Sequence, residues 1–174
     1  MKRLSTILPA TALAGVLTAS PAAGLVPAPA AASTTCRTPW GSTPEQGGLL
    51  GGARVVGVRT GAHPCFDRLV VDLAGTTGGY RVAYVPQVLQ DPRGTVVPLR
   101  GGARLQVTVL ADSGTRRVAL PSVAGMRTFR QLAAAGSFEG VTTYGLGVRA
   151  RLPFRVLVLG GSSPRLVLDV AHHW

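Results

Sequence analysis

The chain has 174 residues, 46% of them hydrophobic, which is enough to bury one core and excludes a disordered polyelectrolyte. Eighteen basic residues against seven acidic ones give a formal net charge of +11, so anionic partners are favoured. Aromatics make up only 5% and the basic residues form no dense cluster, which argues against nucleic acid.

Lys2 and Arg3 open the chain, followed by an apolar run from Leu4 to Leu17. Pro/Ala-rich residues then lead to Ala30-Ala31-Ala32. This is the layout of a secretory signal peptide over 1–32, cleaved after Ala32. The run of about 14 residues is short of the roughly 20 a membrane span needs, so no stable span is expected after cleavage. Beyond Lys2 and Arg3 every basic residue is arginine. In an exported chain the two cysteines, Cys36 and Cys65, read as one disulfide. It would close a loop of about 30 residues and stabilise the fold by about 3–4 kcal/mol through loop entropy.

Residues 33–52 read as an N-terminal arm rich in Pro and Gly, with Trp40 expected to pack near the disulfide. The domain proper spans 53–174. Strands are predicted at 53–59, 66–74, 79–85, 95–99, 103–111, 116–120, 127–135, 141–151, 154–159 and 165–171. Turn signals such as Asp91-Pro92-Arg93-Gly94 and Gly160-Gly161-Ser162-Ser163-Pro164 separate them. Residues 128–135 hold good helix formers and no clear period, so a short helix is the alternative there. Many short strands at this spacing predict an all-β, antiparallel sandwich.

Two strands nearly repeat. Arg68-Leu69-Val70-Val71-Asp72-Leu73-Ala74 matches Arg165-Leu166-Val167-Leu168-Asp169-Val170-Ala171. If the copies pair antiparallel with Val70 opposite Val167, Arg68 faces Asp169 and Asp72 faces Arg165. In that reading Asp72 and Asp169 are structural charges. No catalytic constellation stands out. His63, His172 and His173 lack metal-site spacing, no Gly-x-Ser-x-Gly elbow occurs, and no cofactor is implied.

A second feature is Val141-Thr142-Thr143-Tyr144-Gly145-Leu146-Gly147-Val148-Arg149-Ala150-Arg151. As a strand it would turn Gly145, Gly147, Arg149 and Arg151 to one face. The glycines would leave backbone open beside two arginine forks suited to carboxylates. The other reading is that the glycines let a second segment cross closely. Glu139, Arg68 and Arg165 complete the set of candidate binding residues.

Several segments resemble a known family. They are Val58-Arg59-Thr60-Gly61-Ala62-His63-Pro64-Cys65-Phe66-Asp67-Arg68, Gly79 to Val85, Gly136-Ser137-Phe138-Glu139-Gly140, Pro153-Phe154-Arg155-Val156 and Pro164 to Val170. Together they resemble the actinobacterial AMIN-like domain of secreted proteins, over roughly 40–173. The resemblance implies a β-sandwich of two similar sheets. It also implies a non-catalytic module of the cell envelope, and it allows the two repeats to occupy equivalent places in opposite sheets. The expected function is binding of peptidoglycan or another anionic wall polymer outside the cell. The alternative is a protein-interaction or inhibitor module that adds a strand to a secreted envelope protein. A small hydrolase would need a pocket joining Glu139 or Asp169 with His172.

Overall fold

A computed structural model describes residues 36–49, 51–114 and 118–174. The signal-peptide expectation for 1–32 lies outside these residues. Eleven strands are present among them. They are β1 (Glu45–Gly47), β2 (Arg54–Ala62), β3 (Phe66–Ala74), β4 (Gly79–Tyr84), β5 (Val88–Gln90) and β6 (Thr95–Val97). The series continues with β7 (Ala103–Leu110), β8 (Phe129–Phe138), β9 (Val141–Val148), β10 (Phe154–Leu159) and β11 (Arg165–Ala171). Every strand pairing is antiparallel. A five-stranded sheet has the order β1-β4-β7-β9-β8 and a four-stranded sheet the order β10-β11-β3-β2. β5 and β6 form a separate hairpin. Among the described residues no helix is long and apolar enough to cross a membrane.

The two large sheets pack face to face. Period-2 alternation decides which residues meet between them. β3 sends Leu69, Val71 and Leu73 inward and β7 sends Leu105, Val107 and Val109. β9 contributes Tyr144, Leu146 and Val148. Phe129 and Phe154, both essentially unexposed, are the largest sealed side chains.

The ambiguous segment 128–135 is strand from Phe129 onward, as part of β8, and not helix. β8 carries register shifts between Phe129 and Gln131 and between Ala134 and Gly136. Two such bulges erase the alternation that would have marked it in the sequence. The predicted strand at 116–120 is not borne out over Val118–Leu120, which is irregular. β1 lies within the arm, and β5 is a further short strand that carried no clear alternation.

The disulfide Cys36–Cys65 is formed. It holds the arm beside β3, where Trp40 meets Phe66 edge-on at 5.6 Å. From there the arm runs along β10, an edge strand. The Phe154 amide donates to the Gly41 carbonyl (2.8 Å) and the Val156 amide to the Glu45 carboxylate (3.1 Å). Those contacts occupy edge amides that would otherwise be free to pair with another chain.

Burial raises the Glu45 pKa above its ordinary value of 4.5, and the bond from Val156 lowers it less. A raised carboxyl pKa means the folded chain holds the proton more tightly than the unfolded one. Glu45 therefore favours folding most below pH 4.5 and less as pH rises through its folded pKa. Glu45→Gln is expected to flatten the stability curve just above pH 4.5, as read by urea unfolding at a series of pH values. Parallel curves for both proteins would refute this.

Candidate binding face

The repeated strands are neighbours in the four-stranded sheet. Their register sets Val70 against Val167, Arg68 against Asp169 and Asp72 against Arg165. This is the pairing expected from the two sequences, and it overturns the placement of the copies in opposite sheets. Arg68, Val70, Asp72, Arg165, Val167 and Asp169 thus share the sheet's outer face.

One of the two expected ion pairs forms. Arg68 clamps Asp169 with both arms of its fork, Nε to Oδ1 at 2.6 Å and Nη2 to Oδ2 at 2.9 Å. Arg155, opposite Asp169 on β10, adds Nε to Oδ2 at 3.0 Å. Between them the Asp169 side chain is fully buried. The hydrogen bond to Asp169 raises the Arg68 pKa, so the guanidinium keeps its proton.

The second pair is replaced. Arg59 takes both Asp72 oxygens, at 2.7 and 2.8 Å. The reason is the glycine opposite Asp72 on β2: Gly57 has no side chain there, so the Arg59 fork reaches diagonally across. Arg165 donates to the Ser163 carbonyl (3.3 Å) and has no carboxylate partner among the described residues. The face holds four arginines, Arg59, Arg68, Arg155 and Arg165, against Asp72 and Asp169.

Three of these arginines, Arg59, Arg68 and Arg165, border a depression of about 460 Å³. Val70 and Val167 form its floor, and Arg59, His63, Arg68 and Arg165 rise around it. Gly61 stands opposite Arg68 in register and leaves the space open. One end of the face is aromatic. Arg155 lies over Trp40 at 4.4 Å, Arg68 over Phe66 at 5.2 Å, and His63 stacks on Phe66 at 4.5 Å. Arginines held on aromatic faces keep their planes fixed, so less entropy is lost when an anion docks.

The glycine–arginine strand is elsewhere and closed. β9 is a central strand, buried from Thr142 to Val148. A Cβ on Gly145 would meet Leu99 Cδ1 at 2.8 Å, and one on Gly147 would fall on the Arg100 carbonyl oxygen. The expectation of open backbone at these glycines is therefore corrected: the segment after β6 crosses there. Arg149 and Arg151 lie past the strand's end and serve as fasteners. Arg149 Nη2 donates to the His172 carbonyl. Arg151 donates to Ser42 Oγ (3.2 Å) and Ser42 O (3.0 Å) and lies over Tyr84. Glu139 is exposed in the β8–β9 turn, with a positive φ of 49°. Of the seven candidate residues, only Arg68 and Arg165 lie on this face.

Arg59, Arg155 and Trp40 join this face without having been among the candidates. Arg59 alternates with Val58 in β2, a signal that needs knowledge of the neighbouring strand to be useful. His172 meets Asp67 (3.1 Å) rather than Glu139 or Asp169. Asp169 is sealed under two arginines, so the pocket a hydrolase would need from these residues is not formed.

The model of the AMIN-like domain family matches residues 53–172. The chain belongs to the AMIN-like family. AMIN-like domains are generally non-catalytic binding modules, associated with the cell envelope. That setting and the Cys36–Cys65 disulfide both fit an extracytoplasmic protein. Neither the curated proteins nor the solved structures contain a match to the chain.

Proposed function

We propose that this AMIN-like protein is a secreted, non-catalytic envelope module that binds peptidoglycan or another anionic wall polymer. The outer face of the four-stranded sheet is the binding surface. The observation that carries this reading is Arg165. Its register partner Asp72 is taken by Arg59, which leaves a guanidinium without a carboxylate beside an open depression. A polymer carboxylate or phosphate would supply the missing partner in bidentate fashion.

The test is a pull-down with insoluble peptidoglycan, using protein with its disulfide intact. Depletion from solution is expected at low salt. It should weaken as ionic strength rises and the screening length falls below about 8–10 Å. Arg165→Gln leaves every ion pair of the face in place and is expected to lose most of the binding. No depletion of the unaltered protein at low salt would end this reading.

The second reading is strand addition to a secreted partner. It is favoured by Val158 and Leu159, which are exposed on β10 beyond the stretch that the arm covers. Co-purification of one protein, lost on Val158→Pro, would support it over wall binding.

A further inference from the structure

One end of the sandwich is cationic. In the five-stranded sheet the register brings Tyr84, Ala103, Phe129 and Val148 to the same end. In the four-stranded sheet Phe66, Phe154 and Ala171 end together. Asp67 of β3 accepts the amides of Thr128 and Phe129, so both sets mark one end of the molecule. Arg100 and Arg104 stand on either side of Gly101-Gly102, Arg127 precedes β8, and Arg149 and Arg151 follow β9. Arg37 joins them through the adjacent disulfide, which ends at Cys65 between β2 and β3. Arg104 is half-buried and the others are exposed.

The carboxylates lie elsewhere or are sealed. Of the seven acidic residues, Asp67 and Asp169 are nearest, and both are fully buried. Glu45 and Asp72 sit half-buried on the flanks, where they accept the Val156 amide and the Arg59 fork. The exposed Asp112 and Glu139 stand at the opposite end, where β7 finishes and β8 turns into β9. Asp91 lies toward that end too: its amide donates to the Ala135 carbonyl and its carboxylate accepts from Thr143 Oγ1. Among the described residues, exposed negative charge is therefore kept away from the arginine end. Trp174 stands among the arginines. Its indole N–H donates to the Arg151 carbonyl (3.1 Å), and 71% of the residue is exposed.

We propose that this end docks on the surface of an anionic lipid bilayer. The arginines come from both sides of the sandwich and spread across its end, so they suit a charged plane better than a single strand of polymer. Headgroup phosphates accept guanidinium forks, and each arginine near such a surface adds to the attraction. An exposed indole beside them fits the headgroup level, where an amphipathic ring has its apolar body out of water and its N–H satisfied. The arginine face of the four-stranded sheet runs along the strands, so a molecule seated on its end leaves that face clear. The two surfaces are separate, and lipid docking does not rest on wall binding.

The experiment is co-sedimentation with vesicles of mixed phosphatidylglycerol and phosphatidylcholine at low salt. It uses the disulfide-bonded protein lacking residues 1–32, so that the apolar run Leu4 to Leu17 takes no part. Sedimentation is expected with these vesicles and not with phosphatidylcholine alone. Arg100→Gln combined with Arg127→Gln removes two charges without breaking a side-chain contact of the fold, and should weaken binding by about ten- to thirtyfold. Arg54→Gln combined with Arg93→Gln makes the same charge change away from this end and should weaken it less than threefold or so. Tryptophan emission should shift to the blue on binding, and Trp174→Phe should abolish the shift. No sedimentation with the anionic vesicles overturns the proposal. So does equal sedimentation with neutral vesicles, an equal loss in the two double variants, or a blue shift retained by Trp174→Phe.

Discussion

Replacement of Asp67 by alanine is expected to destabilise the fold by about 3–5 kcal/mol, the largest effect of any single polar substitution here. Asp67 is fully buried at the start of β3. Its Oδ2 accepts the backbone amides of Thr128 (2.6 Å) and Phe129 (3.1 Å), which begin β8 in the opposite sheet. Its Oδ1 meets His172 Nε2 at 3.1 Å. The other ring nitrogen of His172 faces the Pro64 carbonyl at 3.2 Å, and because that oxygen can only accept, Nδ1 must donate. One carboxylate thus ties together both sheets, the disulfide loop and the residues after β11. Alanine would strand two buried amides and a buried imidazole. Asparagine at 67 keeps an acceptor for the two amides, so Asp67→Asn should lose less than half as much. Urea unfolding of the oxidised proteins measures both. A loss below about 1 kcal/mol for the alanine variant would show that water or rearrangement replaces these bonds.

Gly147→Ala is the second large effect, with a loss of about 3 kcal/mol, the upper end for overpacking. Gly147 has no unusual φ, so the cost is wholly steric. Its added methyl would meet the Arg100 carbonyl, a backbone atom fixed by the crossing segment. Gly145→Ala is the control two residues away. There the methyl meets Leu99 and Val88, whose side chains can turn aside, so a smaller loss of about 1 kcal/mol is expected. Denaturant midpoints with unchanged slopes would establish the order. Equal, small losses would mean that the crossing segment gives way and the face of β9 can open.

Why the repeat was legible and the glycine strand was not follows from what each inference required. Pairing of 68–72 with 165–169 needs only two strands, and the charges at their ends select one register. Even so, only Arg68–Asp169 formed. The partner of Asp72 comes from a third strand, through the space left by Gly57, and no two-strand argument contains that. Gly145 and Gly147 carried two meanings in the sequence, an open face or a close crossing. What decides between them is Leu99 and Arg100, about forty-five residues earlier, whose path is set by the β5–β6 hairpin. β8 was ambiguous because its bulges break the alternation on which strand recognition depends. Val118 and Leu120, within the strand expected at 116–120, pack onto the core from an irregular segment instead of joining a ladder.

The placement of β11 has a consequence for how the chain comes to fold. β11 sits between β10 and β3, and the clamp it brings to Arg68 spans 101 residues of sequence. Until Arg165–Ala171 has been synthesised, β3 has only β2 as a ladder partner, and a two-stranded hairpin is marginal in water by itself. The hydrophobic layer they would cover stays incomplete for the same period. Closure then depends on a contact of high sequence separation, which is intrinsically slow to find. A topology in which a central strand comes about a hundred residues after its neighbour delays the closing of the four-stranded sheet until that strand arrives.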